Sequence, residues 1–191
     1  MKALTPALAA ALTLGLVGCN PPAERSSTAP ADAVAPPAAA DGVTLQGDGL
    51  VFPTANGAPA RTLKIGTPEA EAVAALTALR GTAPARETNS ECGAGPIDFL
   101  DGGEGLDLLI QNGRFEGWHV GSNAAVTLAT ASGIRAGSTL AQLRAADPAV
   151  TLDEDTLGVE FTAGGVNGFL DGRDPGSKVT GLWSGLSCFF R

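Results

Sequence analysis

The sequence predicts an α+β protein. Two tandem units, each a helix followed by a three-stranded antiparallel meander, pack as one body behind a signal peptide and a disordered linker. The first observation behind this is a duplicated block: Ile97, Asp98 and Phe99 precede Gly102 and Gly103, and Val159, Glu160 and Phe161 precede Gly164 and Gly165 at the same spacing. Further on, Arg114, Phe115, Glu116, Gly117 and Gly121 match Lys178, Val179, Thr180, Gly181 and Gly185, with Trp118 and Trp183 one position apart in that register. The second is a helix start upstream of each block, and the third is a set of turn signals between short apolar runs.

Residues 1–18 hold one basic residue, Lys2, and an apolar stretch over 7–17 that is too short for a bilayer core of about 30 Å. This is the pattern of a secretory signal peptide. It closes on Leu16, Val17, Gly18 and Cys19, which resembles the lipobox of bacterial lipoproteins. The resemblance implies cleavage before Cys19, lipid attachment to its sulfur, and modification by fatty acids such as palmitate. Asn20 stands where an Asp would favour inner-membrane retention, so the resemblance implies the outer membrane, facing the periplasm. Several acyl chains at about 0.8 kcal/mol per buried methylene anchor a chain without a transmembrane helix. Residues 20–41, with five Pro and eight Ala and no periodic apolar face, read as a tether. As polyproline II it would reach about 68 Å.

Beyond the tether the chain divides into 42–132, an introductory hairpin plus the first unit, and 133–191, the second unit. Gly47, Asp48 and Gly49 lie between apolar runs and mark the hairpin. The first helix starts with Thr67 as N-cap, Pro68 at its first turn, and Glu69 and Glu71 against the positive helix end. Ala72, Val73, Leu76 and Leu79 form its apolar face, and Gly81 ends it. The second helix takes Ser138 as cap, turns Leu140 and Leu143 inward, and stops by Pro148. Strands follow over 95–100, 106–111 and 114–120, then over 157–162, 167–171 and 178–190. Asn112 and Gly113 supply one hairpin turn, and Pro175 with Gly176 the equivalent one.

A Gly-Thr or Gly-Ser helix start, a Phe-bearing strand, a Gly-rich hairpin and an aromatic strand, duplicated in an exported chain, resemble the β-lactamase-inhibitor-protein fold and the related BamE (SmpA/OmlA) lipoproteins. The resemblance covers residues 66–191 as a pattern. It implies binding through a concave sheet face, to an enzyme in one family and to an outer-membrane assembly complex in the other.

Composition narrows the function classes. Twelve basic against twenty acidic residues give a net charge of −8, with Lys2, Lys64 and Lys178 scattered. Such a chain lacks the cationic surface that nucleic acid requires. A single His and no Tyr leave few general bases or metal ligands. With Cys19 committed to lipid, Cys92 and Cys188 form the single available disulfide in an oxidising compartment.

The segment 102–110 fits the nonapeptide of calcium-binding β-rolls, but one copy cannot build their shared sites, so the sequence predicts a Gly-rich hairpin and no metal or cofactor. Asp153, Glu154 and Asp155, and Asp171 with Asp174, read as solvated turn carboxylates. Trp118, Trp183, Phe115 and Phe189 read either as core or as one sheet face turned outward; on the second reading Trp118, Trp183, Phe115 and His119 form the candidate binding face, because Trp is enriched at interface hot spots. The expected function is therefore non-enzymatic: a lipid-anchored envelope protein that binds another envelope protein as adaptor or inhibitor, or serves as a spacer. The alternative is a small envelope hydrolase using His119, although no G-x-S-x-G elbow occurs.

Overall fold

Alternation of buried and exposed side chains, far more than helix, organises this chain. The computed structural model describes residues 42–53 and 60–189. These belong to the second of two units, Val34–Arg191; the first, Met1–Ala33, lies outside the described residues, as do the expected signal peptide, Cys19 and the tether.

Among the described residues, twelve strands build two sheets. In the smaller, β1 (Thr44–Gln46), β2 (Gly49–Phe52) and β3 (Arg61–Lys64) form a meander, and β8 (Ala129–Thr130) pairs parallel with β1. The larger runs β4 (Arg86–Asn89), β5 (Ile97–Gly103), β6 (Leu106–Gln111) and β7 (Arg114–Val120), and continues through β12 (Val179–Gly185), β11 (Val166–Leu170) and β10 (Gly158–Ala163) to β9 (Thr151–Asp155). Helix α1 (Glu69–Arg80) precedes the first four of these strands, and α2 (Leu140–Ala146) the last four.

The expected α+β class is therefore corrected: the described residues are mainly β, 13% helical against 44% strand, and each meander has four strands rather than three. The extra strands, β4 and β9, are polar edge segments (RETN and TLDED) without an apolar alternation to announce them. Charged edge strands resist pairing with other chains, which is why such segments look like loops in sequence. The two meanders also do not close as separate sheets, because β7 and β12 pair antiparallel from Gly117 to Val120 and make one continuous eight-stranded sheet.

Both helix starts are latched to this sheet by the same two bonds. Gly66 N–H donates to Phe115 O and Phe115 N–H to Thr67 O; likewise Gly137 N–H donates to Val179 O and Val179 N–H to Ser138 O. The N-caps consequently shift by one residue from those expected. Pro68 caps α1 with no side-chain bond, while Glu69 N–H, one of the helix's orphan donors, is satisfied by Gly113 O. For α2 the cap is Thr139, in a reciprocal capping box with Gln142. Ser138, buried, instead accepts from Arg135 N–H. On α1 the buried residues are Ala72, Ala75 and Leu76; Leu79 is 40% exposed.

One apolar cluster lies between the inner face of the large sheet, the helices and the small sheet, with Leu45, Leu50, Leu76, Leu108, Phe115, Trp118, Leu143, Phe161 and Leu182 among its members. The β1–β2 turn docks on the β10–β11 turn so closely that a Cβ at Gly47 would sit 2.8 Å from Gly164 O. There Ser184 Oγ donates to Gly47 O at 2.6 Å.

Candidate functional site

Side chains alternate between sheet faces, so cross-strand register assigns each residue to a side. One row crosses seven strands: Asp101, Asp107, His119, Trp183, Asn167, Thr162 and Thr151 are successive partners. Beside it run Glu87, Phe99, Leu109 and Gly117 on one flank, and Gly181, Phe169, Glu160 and Asp153 on the other. These rows make up the outer face, opposite the main core.

The candidate binding face of Phe115, Trp118, His119 and Trp183 is thereby split. Phe115 and Trp118 are wholly buried in the inner core, and Trp118 donates its indole N–H to Gln46 O at 2.9 Å. A bulge is responsible: Ile110 pairs with Phe115 but Leu109 with Gly117, so the extra residue in β7 turns Phe115 to the same side as Trp118. His119 and Trp183 lie on the outer face, where Trp183 is itself buried beneath its neighbours, and pair with each other across the β7–β12 join.

The outer face carries its own small apolar cluster, Cys92, Ile97 and Leu109, with Phe99, Leu186 and Cys188 packed on it. Gly185, at φ 73°, ends β12, so the expected strand to residue 190 stops short. Residues 186–189 cross back over the sheet. Their passage depends on Gly117, where a Cβ would meet Leu186 O at 2.5 Å and its N at 2.6 Å; Leu186 N–H donates to Glu116 O at 2.8 Å. The Cys92–Cys188 disulfide, with Cα atoms 5.4 Å apart, fastens this segment, and Asn89 Nδ2 donates to Cys188 Sγ at 3.6 Å.

Between the crossing segment and the sheet lies a pocket of about 210 Å³, lined by Phe99, Leu109, His119, Trp183, Leu186, Ser187, Cys188 and Phe189. Phe189 stands edge-on to Trp183, Phe169 and His119, with ring centroids 4.8, 5.1 and 6.1 Å away, and Phe169 leans on Trp183 at 4.6 Å. Aromatic groups so arranged present a rigid apolar surface with little side-chain entropy left to lose. Asp107 Oδ2 is 3.9 Å from His119 Nδ1, a distance beyond hydrogen bonding.

A larger hollow of about 740 Å³ opens where α2 and the small sheet meet the β10–β11 turn. Several of its polar groups are engaged in local structure: Asp48 pairs with Lys64 at 3.2 Å, Asp147 Oδ1 accepts from Ala149 N–H, and Gly47 O is held by Ser184. It therefore offers less free chemistry than the aromatic pocket. On the α1 side of the large sheet, Arg86 bridges Glu69 and Asp98. The Glu69 carboxylate raises the Arg86 pKa. The Thr88 hydroxyl, aided by Arg86 and opposed by partial burial, holds the Asp98 carboxyl below its usual range.

The turn carboxylates do not converge. Glu154 pairs with Arg173 at 2.9 Å, Asp171 Oδ1 accepts from Lys178 N–H, Asp174 closes a turn with Ser177, and Asp153 accepts from Glu154 N–H. Asp155 pairs through its backbone with Gly158. The nonapeptide segment forms the β5–β6 hairpin, with Gly103, Glu104 and Gly105 all at positive φ. Among the described residues no group of three His, Cys, Asp or Glu is placed to hold a metal ion. No described helix is long and apolar enough to cross a membrane.

Sequence reasoning missed Phe99, Leu109, Phe169 and Leu186 in the site. The available signal was period two in Ile97, Phe99 and Asp101, carried across the Asn112 and Gly113 hairpin. The chain matches no known protein-family model, no curated protein sequence and no solved structure.

Proposed function

We propose that this chain is a bacterial cell-envelope protein, lipid-anchored through Cys19 on the periplasmic side of the outer membrane, whose folded part binds another protein as adaptor or inhibitor. The observation that carries the binding part is the aromatic pocket on the outer sheet face, where Trp183, Phe169 and Phe189 pack together while the opposite face is filled by the core. Aromatic anchors around a desolvatable pocket are the usual centre of a protein interface. The anchor rests on the lipobox of the sequence.

A cross-linked pull-down from solubilised envelope, with the full lipidated chain as bait, tests the binding. A partner recovered in stoichiometric amount, and lost with Trp183→Ala, is the expected result; recovery of nothing specific overturns the reading. Labelled palmitate should enter the wild-type chain and not Cys19→Ser.

The hydrolase alternative draws on one observation, that His119 and Ser187 line the same pocket with Asp107 nearby. It lacks the orienting bond that a base needs, since Asp107 stands 3.9 Å off. Under the binding reading His119→Ala weakens a complex by at most a few kcal/mol, whereas an enzyme using His119 would lose activity by orders of magnitude.

A further inference from the structure

We infer that the partner of this face is a basic polypeptide segment, one large apolar side chain entering the aromatic pocket and Lys or Arg side chains flanking it. The inference rests on the protein-binding reading above and adds the chemistry of the partner. Its basis is the charge distribution around the pocket. Outward register positions hold Glu87 beside Phe99, Asp107 beside His119, Glu160 beside Phe169, and Asp153 beside Glu160. Asp101 shares the row but is already paired with Arg80 at 3.2 Å.

Among the described residues, cations stand away from the pocket or are held elsewhere. Arg114 and Lys178 stand at the beginnings of β7 and β12, each five residues before His119 or Trp183 and so about 16 Å along the strand. Arg114 also turns its guanidinium to Gly66 O at 2.6 Å. Arg86, adjacent to Glu87, projects to the opposite face and is held by Glu69 and Asp98. The pocket thus sits in a negative field with His119 as its only imidazole.

The pocket's size selects the anchor. A volume of about 210 Å³ suits one aromatic or large aliphatic side chain, and the apolar lining disfavours a charged tip at its base. Glu87 and Asp107 at the rim remain in contact with solvent, so they steer and select more than they add raw affinity. Acidic partners, and nucleic acid with them, would be repelled.

The test uses the full chain in neutral-lipid nanodiscs and three fluorescein-labelled heptapeptides read by anisotropy: Gly-Lys-Lys-Phe-Lys-Lys-Gly, the same peptide with Gly for Phe, and the same with Glu for every Lys. The basic aromatic peptide is expected to bind about tenfold or more tighter than either of the others. Its binding should weaken as salt rises from about 0.1 to about 1 M, which shortens the screening length from about 10 to about 3 Å. It should weaken again in the Glu87→Gln, Asp107→Asn double variant, whose surface changes leave the core untouched.

Equal affinity for the acidic peptide, or no saturable binding of the basic one, overturns the inference. The pull-down then separates the two levels. A partner that cross-links equally to wild type and to the double variant leaves the binding reading standing and removes the basic partner, while failure to cross-link anything removes both.

Discussion

The indole N–H of Trp118 meets the carbonyl oxygen of Gln46 at 2.9 Å, across 72 residues of sequence, and joins the centre of the large sheet to the first strand of the small one. A fully buried Trp has to find such a partner, because its N–H is costly to leave unmade. Trp118→Phe keeps the ring and deletes the donor, and should cost about 1–3 kcal/mol. Trp118→Ala adds a cavity and should cost about 3–5 kcal/mol. Urea unfolding followed by far-UV circular dichroism measures both.

The disulfide fastens a segment that otherwise reaches the sheet through few bonds. Cys92 and Cys188 are 96 residues apart, and closing a loop of that length restricts the unfolded chain by about 4 to 5 kcal/mol on the entropy argument. Reduction should lower the urea midpoint by an amount worth about 2–5 kcal/mol. It should also alter the near-ultraviolet signal of Trp183, whose neighbour Phe189 follows Cys188 directly.

Gly117 admits the crossing segment. Ala there would place a methyl about where Leu186 N and O now lie, at 2.6 and 2.5 Å, and backbone atoms cannot yield as a side chain does. Gly117→Ala should therefore destabilise by about 1–3 kcal/mol and displace residues 186–189. Faster hydrogen exchange at the Leu186 amide, which now donates to Glu116 O, is the local readout.

Asp98 gives the fold an acid dependence whose sign follows from its partners. The Thr88 hydroxyl and the Arg86 guanidinium favour its ionised form, so its folded pKa lies below the unfolded value of about 3.9. Its contribution is then present above that unfolded value and is lost as pH falls through the folded one. The Tm difference between wild type and Asp98→Asn should be constant from about pH 5 to 7 and shrink below about pH 4. A difference unchanged at about pH 2.5 would count against this role for Asp98.

The Asn112 and Gly113 turn, the paired glycines after Phe99 and Phe161, the inward Leu140 and Leu143 and the pairing of Cys92 with Cys188 were all legible as local chemistry. Each depends on residues close in sequence, or on arithmetic with a single solution. Polar β4 and β9 were hidden because a strand held by neighbours on one edge needs no apolar alternation of its own. The binding face was misdrawn at Trp118 because adjacent strand residues face opposite sides, and at Phe115 because one extra residue in β7 reverses the parity on which period-two reasoning relies.

The sequence by itself therefore determined the hairpins, the short helices and a few inward residues such as Leu76, Leu140 and Leu143, since these follow from propensity, capping and hydrophobic period. Only the tertiary structure decided that β7 and β12 join two meanders into one sheet, and that His119 and Trp183 share its outer side with Phe169 and Phe189. Such pairings are fixed by register between strands more than sixty residues apart, where backbone hydrogen bonding is the same for every side chain and leaves no local mark.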